Sequence, residues 1–353
     1  MQSFRLWPLL AILATAGAQA QTIYKVTELL IGPKTDVTLF SHAHAINKSG
    51  QTAIDFGYTF GGIAAARCAK ARCELIPELH TGTFPSTLPG GINDAGFVTG
   101  NSFAGPATHA FLFDGEQTID LGGLPEDGCG GCSLDSGGRD INNLNQVVGY
   151  AYTGEGDVRA FLWDTNEGMR KIGTLGGAFS DAYAINNRGD IVGFSSLGGG
   201  SQHAFLYRNG IMSDLGTLGG SHSVAFGINE ARQIVGCSTL EGDSVQQAFI
   251  YQQGVMNPLP SLGGNDACAL GINRNGWVVG YSSTEGSINS RAFLWDGSSV
   301  VNLNSRLDPV SGKNWMLTEA TAINDKGQIV ATGEHKGATR AALLTPLPAS
   351  GLD

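Results

Sequence analysis

Apolar and polar residues alternate along this chain in short runs, each cut after a few positions by Gly, Asn, Asp or Ser. Such period-two runs between turn-forming residues are the pattern of half-buried β-strands. An Ile-Asn pair closes one run in each of seven places: Ile46-Asn47, Ile92-Asn93, Ile141-Asn142, Ile185-Asn186, Ile228-Asn229, Ile272-Asn273 and Ile323-Asn324. The spacings are 46, 49, 44, 43, 44 and 51 residues. A period in the forties marks an array of supersecondary units. Helical arrays need amphipathic 3.6-residue periodicity, which the frequent glycines interrupt. The unit is clearest in four predicted strands at 223–229, 233–238, 246–251 and 255–259. Four short strands with turns between them make a propeller blade. The pattern therefore predicts an all-β chain, a seven-bladed β-propeller with four antiparallel strands per blade.

Small residues sharpen this expectation. Ala45, Gly91, Asp140, Ala184, Gly227, Gly271 and Ala322 precede the isoleucines, and Ala43, Pro89, Gly138, Ala182, Ala225, Ala269 and Ala320 stand two positions earlier. Strict alternation would put these on one crowded face and larger groups such as Tyr183 and Phe226 on the other. The Asn opens a tight turn, as in Asn47-Lys-Ser-Gly50, where its side chain bonds the backbone and Gly takes positive φ. The third strand of a unit reads His109-Ala-Phe-Leu-Phe113 or Arg159-Ala-Phe-Leu-Trp163, with paired aromatics expected between blades. The last unit lacks a fourth strand, and the segment 23–29 lies where one would be supplied from the N-terminal end. Pairing it with 339–344 closes the last blade and removes an exposed sheet edge.

These motifs resemble the HAF-repeat family of bacterial extracellular proteins. The likeness lies in His-Ala-Phe at 109–111 and 203–205, in Asp-Leu-Gly-Thr-Leu-Gly-Gly at 214–220, in its variants at 172–177 and 121–123, and in the closing stretch 303–346. It covers nearly all of the chain beyond residue 20. The first unit departs from it, with Arg67-Cys68 and Cys73 in place of the aromatic strand. The resemblance implies export and a repeated β architecture, and transfers no catalytic residue.

Composition narrows the function classes. Of 353 residues 52 are Gly and 15% are charged, with 42% hydrophobic, which argues against disorder. The net charge of -10 offers no basic footprint for nucleic acid and disfavours anionic membranes. Arg5, the apolar run 6–16 and Ala18-Gln19-Ala20 read as a signal peptide over 1–20, leaving 21–353 as one domain, secreted or periplasmic. An oxidising compartment favours disulfides. Cys68 and Cys73 bracket a hairpin, and Cys129-Gly-Gly-Cys132 is a close pair. Cys237 faces Val224 in the predicted hairpin, while Cys268 holds Val224's position one unit on; whether these two pair is left open.

Enzyme signatures are sparse: there is no G-x-S-x-G, H-E-x-x-H, P-loop or EF-hand spacing. His42 and His44 share a strand face near the axis, in a slot whose content varies between units. Variable loops gather at the end opposite the Asn turns and carry Glu126, Asp127, Glu155, Asp157, Glu241, Asp243, Glu285, Glu334 and His335. Function generally sits on loops over a rigid scaffold. Glu155, Asp157, Glu241, Asp243, Glu285, Glu334 and His335 are therefore the candidate ligand-binding residues. The reading is a monomeric binding or scaffold module for a polysaccharide, cell-surface component or protein, with no metal, cofactor, nucleic acid or membrane insertion. Its rival is an extracellular hydrolase or lyase with an acidic and His site at the channel mouth.

Overall fold

The structure, a computed structural model, describes residues 22–29, 38–58, 61–70, 72–80, 86–124 and 135–348. The expected leader, Cys129, Cys132, Glu126 and Asp127 lie outside the described residues. Among those residues there are 28 strands, one 3₁₀ turn at Leu303–Arg306 and no α-helix. The strands form five sheets, three of four strands and two of eight. Each larger sheet is two antiparallel runs joined by a single parallel bridge, Val158 with Phe179 and Gln246 with Asp266. The unit taken as clearest folds as expected, with strands Ser223–Ile228, Ile234–Thr239, Gln246–Gln252 and Val255–Pro258.

The core is a series of interfaces between consecutive repeats. Ala184, Val192 and Ala204 of the fourth repeat pack on Ala225, Ile234 and Phe249 of the fifth. Val330, Ala341 and Leu343 near the C-terminal end pack on Ala43, Ile54 and Phe56 of the first repeat. The central Phe of the third strand is almost wholly enclosed at Phe111, Phe161, Phe205, Phe249 and Phe293. Its aromatic identity is thus a packing requirement, worth about 1.5–3 kcal/mol per fully buried ring.

The strand Tyr24–Glu28 pairs antiparallel with Ala338–Pro346, Val26 opposite Leu344, as the orphan-strand argument required. Its outer edge is covered: Asp308 N donates to the Tyr24 carbonyl at 2.8 Å, and Val26 N to Ser311 Oγ at 3.0 Å. Cys68 and Cys73 are bonded across the hairpin of Ile63–Ala69 and Arg72–Leu75. Cys237 does face Val224, and it is bonded to Cys268, tying the fifth repeat to the sixth.

Strict alternation does not hold in the strand before each Asn. The register slips between Ala43 and Ala45, Gly138 and Asp140, Ala182 and Ala184, Ala225 and Gly227, Ala269 and Gly271, and Ala320 and Ala322. One extra residue sits in each slip: His44, Arg139, Tyr183, Phe226, Leu270 or Thr321. A bulge leaves that residue unpaired and re-aims its side chain. In the third to sixth repeats the partner strand carries a glycine at the crossing, and a Cβ on Gly149, Gly193, Gly236 or Gly280 would overlap a carbonyl oxygen of the bulged strand.

Candidate functional site

The Asn turns form one end of the molecule. Asn229 Oδ1 accepts from the backbone N–H of Ala231 and Gln233, both at 3.0 Å, which is the expected turn chemistry. Its Nδ2 does something further, donating to the carbonyl of Asn273 in the next repeat at 3.0 Å. The same bond runs from Asn47 to Asn93, Asn93 to Asn142, Asn142 to Asn186, Asn186 to Asn229 and Asn273 to Asn324. Asn324 Nδ2 then donates to the Asn47 carbonyl at 3.1 Å, so the bonds close into a cycle. All seven asparagines are buried. Turn chemistry alone, the expectation from sequence, misses this second role.

The bulges line the space within. His44, Gly91, Arg139, Tyr183, Phe226, Leu270 and Thr321 border a cavity of about 200 Å³. Arg139 is its central cation. Its Nη2 and Nε lie 2.9 and 3.3 Å from Asp181 Oδ2. The guanidinium sits 4.9 Å from the Tyr150 ring centre and 5.1 Å from that of Tyr183, a doubly stacked cation. Burial raises the Asp181 carboxyl above its ordinary range, partly offset by Arg139. Asp181 Oδ1 is buried with no hydrogen-bond partner among the described residues. Burial also raises both tyrosines, so they remain neutral hydroxyls.

A second polar group stands on the first repeat. Asp55, 3% exposed, accepts from the His42 backbone N and from His42 Nδ1, both at 3.0 Å. His44 Nε2 lies 3.3 Å from the same oxygen but out of hydrogen-bond alignment. Burial works to raise the Asp55 carboxyl, yet the His42 hydrogen bond and the charges of the two histidines hold it well below the usual range. The Asp55 bond raises His42. Both imidazoles are thus turned toward a carboxylate. Among the described residues no group of three or more His, Cys, Asp and Glu is arranged to hold a metal.

The residues singled out from sequence are spread over separate repeats. Glu155 and Glu241 are exposed on different hairpins. Asp157 pairs with Arg159. Asp243 accepts from Ser221 N at 2.8 Å, Ser221 Oγ at 2.7 Å and Thr239 Oγ1 at 2.5 Å, which lowers its carboxyl to about 2. Its oxygens are engaged in holding a turn. Glu285 follows the strand Val278–Thr284. Glu334 and His335 are corrected from loop to strand, since Ile329–His335 is paired to its end. His335 stacks on Trp315 with ring centres 4.5 Å apart, and its Nδ1 lies 3.2 Å from Glu28. What sequence reasoning missed is the Arg139, Asp181, Tyr150 and Tyr183 group. Its signal was the partner-strand glycine, Gly149 or Gly193, opposite the bulges that carry Arg139 and Tyr183.

No family model matches the sequence, and no curated protein matches it. Solved structures do. The β-propeller domain of the Trilobed protease from Pyrococcus furiosus, described as having an open velcro topology, superposes with a TM-score of 0.53 and 11% identity over 90% of this chain and 98% of that one. YCF48 bound to D1 peptide gives a TM-score of 0.52 and 11% identity over 95% and 99%. For Pyrococcus horikoshii acylaminoacyl peptidase the TM-score is 0.56 at 14% identity over 88% of this chain; the chain spans 53% of that protein. At such identities the likeness is one of fold: the chain is an all-β propeller.

Proposed function

We propose that this chain is an exported seven-bladed propeller of four strands per blade that serves as a binding module, with its ligand entering opposite the Asn turns. The observation that carries the reading is the contrast between the two ends. One is a uniform ring of buried Asn bonds around a depression of about 380 Å³ lined by the Ile-Asn pairs. Toward the other, the bulges collect side chains of varied chemistry, among them His44, Arg139, Tyr183 and Phe226, around a cavity of about 200 Å³. Rigid, mostly apolar sites with a few converging polar groups are the usual form of ligand pockets.

Several observations support the finer points. Seven Ile-Asn repeats, the closed cycle of Asn bonds and the pairing of Tyr24–Glu28 with Ala338–Pro346 favour seven blades. Two disulfides suit an oxidising compartment. The His-Ala-Phe motifs fit the HAF-repeat family, with residues 1–20 as leader. Glu155, Glu241 and Glu285 form the outer rim of the same end. The partner is a glycan, cell-surface component or protein, taken up by a monomer without nucleic acid or membrane insertion.

The test is binding of purified 21–353 to a glycan array and to immobilised peptides. Tyr183→Ala should weaken the ligand's Kd at least tenfold, a loss of about 1.4 kcal/mol, whereas Leu144→Ala on the Asn-turn end should not. Equal loss at both ends overturns the reading. A second reading, a hydrolase or lyase, draws on the His42–Asp55 pair, an acid–base couple at hydrogen-bond distance next to His44, which borders the cavity. Turnover of a glycan that vanishes in Asp55→Asn would establish it instead.

A further inference from the structure

A groove of about 480 Å³ runs between the third and fourth repeats, bordered by Arg139, Tyr150, Tyr152, Phe179, Asp181 and Gln202. Its floor follows from strand register. Tyr152 lies opposite Val158, and Val158 bridges to Phe179, so the three side chains stand abreast on one sheet face. Tyr152 is 41% and Phe179 47% exposed. Two aromatic faces are thus presented to solvent beside a polar wall. That wall holds the unpartnered Asp181 Oδ1, in a residue only 6% exposed. An unpaired buried acceptor is destabilising, and a ligand hydroxyl donating to it would relieve that cost.

The repeat array supplies its own comparison. At the equivalent seam between the fifth and sixth repeats the bridge is Gln246 with Asp266, and Gln246 Nε2 donates to Asp266 Oδ1 at 3.0 Å. There the seam is polar and satisfied from within. At the seam between the third and fourth repeats the same position carries an exposed aromatic, Phe179.

We infer that this groove holds a neutral sugar ring, its apolar C–H face on Tyr152 and Phe179 and a hydroxyl donating to Asp181 Oδ1. The inference rests on the binding-module reading and names its ligand class. Neutrality follows from charge: Arg139 already balances Asp181 through Oδ2, so a charged ligand would bring an uncompensated charge into a partly dry site. A groove of this size falls within the about 300–1,000 Å³ of small-molecule sites. The aromatics supply amphipathic faces and the buried acceptor supplies selectivity for hydroxyl groups.

The experiment is calorimetric titration of 21–353 with cellohexaose, xylohexaose, laminarihexaose, maltohexaose and mannohexaose, and with oligogalacturonate as the charged counterpart. Asp181 is left intact, because removing its charge takes away the ion-pair partner of Arg139. Phe179→Ala and Tyr152→Ala alter exposed side chains, so folding, checked by melting, should persist. At least one neutral oligosaccharide should bind, oligogalacturonate should not, and either variant should weaken Kd at least tenfold. Neutral binding that survives both variants overturns the groove assignment, and absence of neutral binding overturns the ligand class. The binding-module reading fails separately, on Tyr183→Ala with whichever array ligand binds.

Discussion

Asp140 is a residue whose surroundings work against its charge. It stands where other repeats have Ala or Gly, its Oδ1 accepting from Ile141 N at 2.8 Å and Oδ2 from Ile185 N at 3.0 Å. Part of the residue borders the cavity, but the carboxylate fills the space a Cβ on Gly91 would take, and burial pushes it up to about 6 despite the two N–H bonds. With an unfolded value near 3.9, the folded state holds the extra proton between these limits. Stability is therefore favoured by Asp140 protonation at low pH and falls as pH rises from about 4 to about 6. Asp140→Asn cannot titrate. Whatever constant cost its lost acceptor brings, its stability relative to the native chain should improve by roughly 2–3 kcal/mol between pH 4 and pH 7. Urea unfolding at pH 4, 5.5 and 7 reads this directly, and parallel curves would show that Asp140 is not strained. Asp55 acts in the opposite sense: its lowered carboxyl stabilises the fold at neutral pH, and that contribution is lost as the pH falls into the acid range.

At the scale of the element, the Asn turn is both a hairpin and a clasp. A turn alone accepts Asp as readily as Asn, since both offer the side-chain oxygen. Yet all seven repeats carry Asn, and the structure gives the reason in Nδ2. Asn229 Nδ2 donates to Gln233 Oε1 at 2.7 Å and to the Asn273 carbonyl at 3.0 Å. Asn229→Asp keeps the turn acceptor and replaces that donor by an oxygen facing two acceptors. We expect a loss of about 1–3 kcal/mol by urea unfolding at pH 7. A near-native value would return the residue to a turn role alone.

At the scale of the whole molecule, stability depends on the seam where the chain's two ends meet. Tyr24–Glu28 contributes five register pairs to Ala338–Pro346, and Tyr24, Val26 and Leu29 are almost fully enclosed. Each such apolar burial is worth about 1.5–3 kcal/mol and each hydrogen bond about 0.5–1.5 net, against a total of about 5–15. Deleting 22–29 should therefore cause aggregation or a much lower melting point, and adding the 22–29 peptide should reverse part of it. Size-exclusion chromatography and thermal unfolding test this. A monomer with unchanged melting would mean that the ends are held by other contacts. The Cys237–Cys268 bond clasps a different pair of neighbours and should not compensate.

What the sequence by itself determined is local. The repeat spacing, the strands of the 223–259 unit, the Asn turns, the Cys68–Cys73 hairpin and the unpaired strand at 23–29 are all written in period-two runs and turn chemistry, which act over a few residues. Even the apposition of Cys237 with Val224 follows from one hairpin register. The tertiary structure alone decided which polar residues meet. Arg139 and Asp181 lie 42 positions apart and converge because successive repeats stack. A one-residue bulge turns Arg139, Tyr183 and Phe226 inward, and inserting one residue defeats the alternation from which a sequence assigns faces. The acidic residues of the hairpins drew attention because charge is visible in a string of letters. Their engagement in turns, as with Asp243, and the unpaired oxygen of Asp181 are consequences of packing, which only the assembled chain can express.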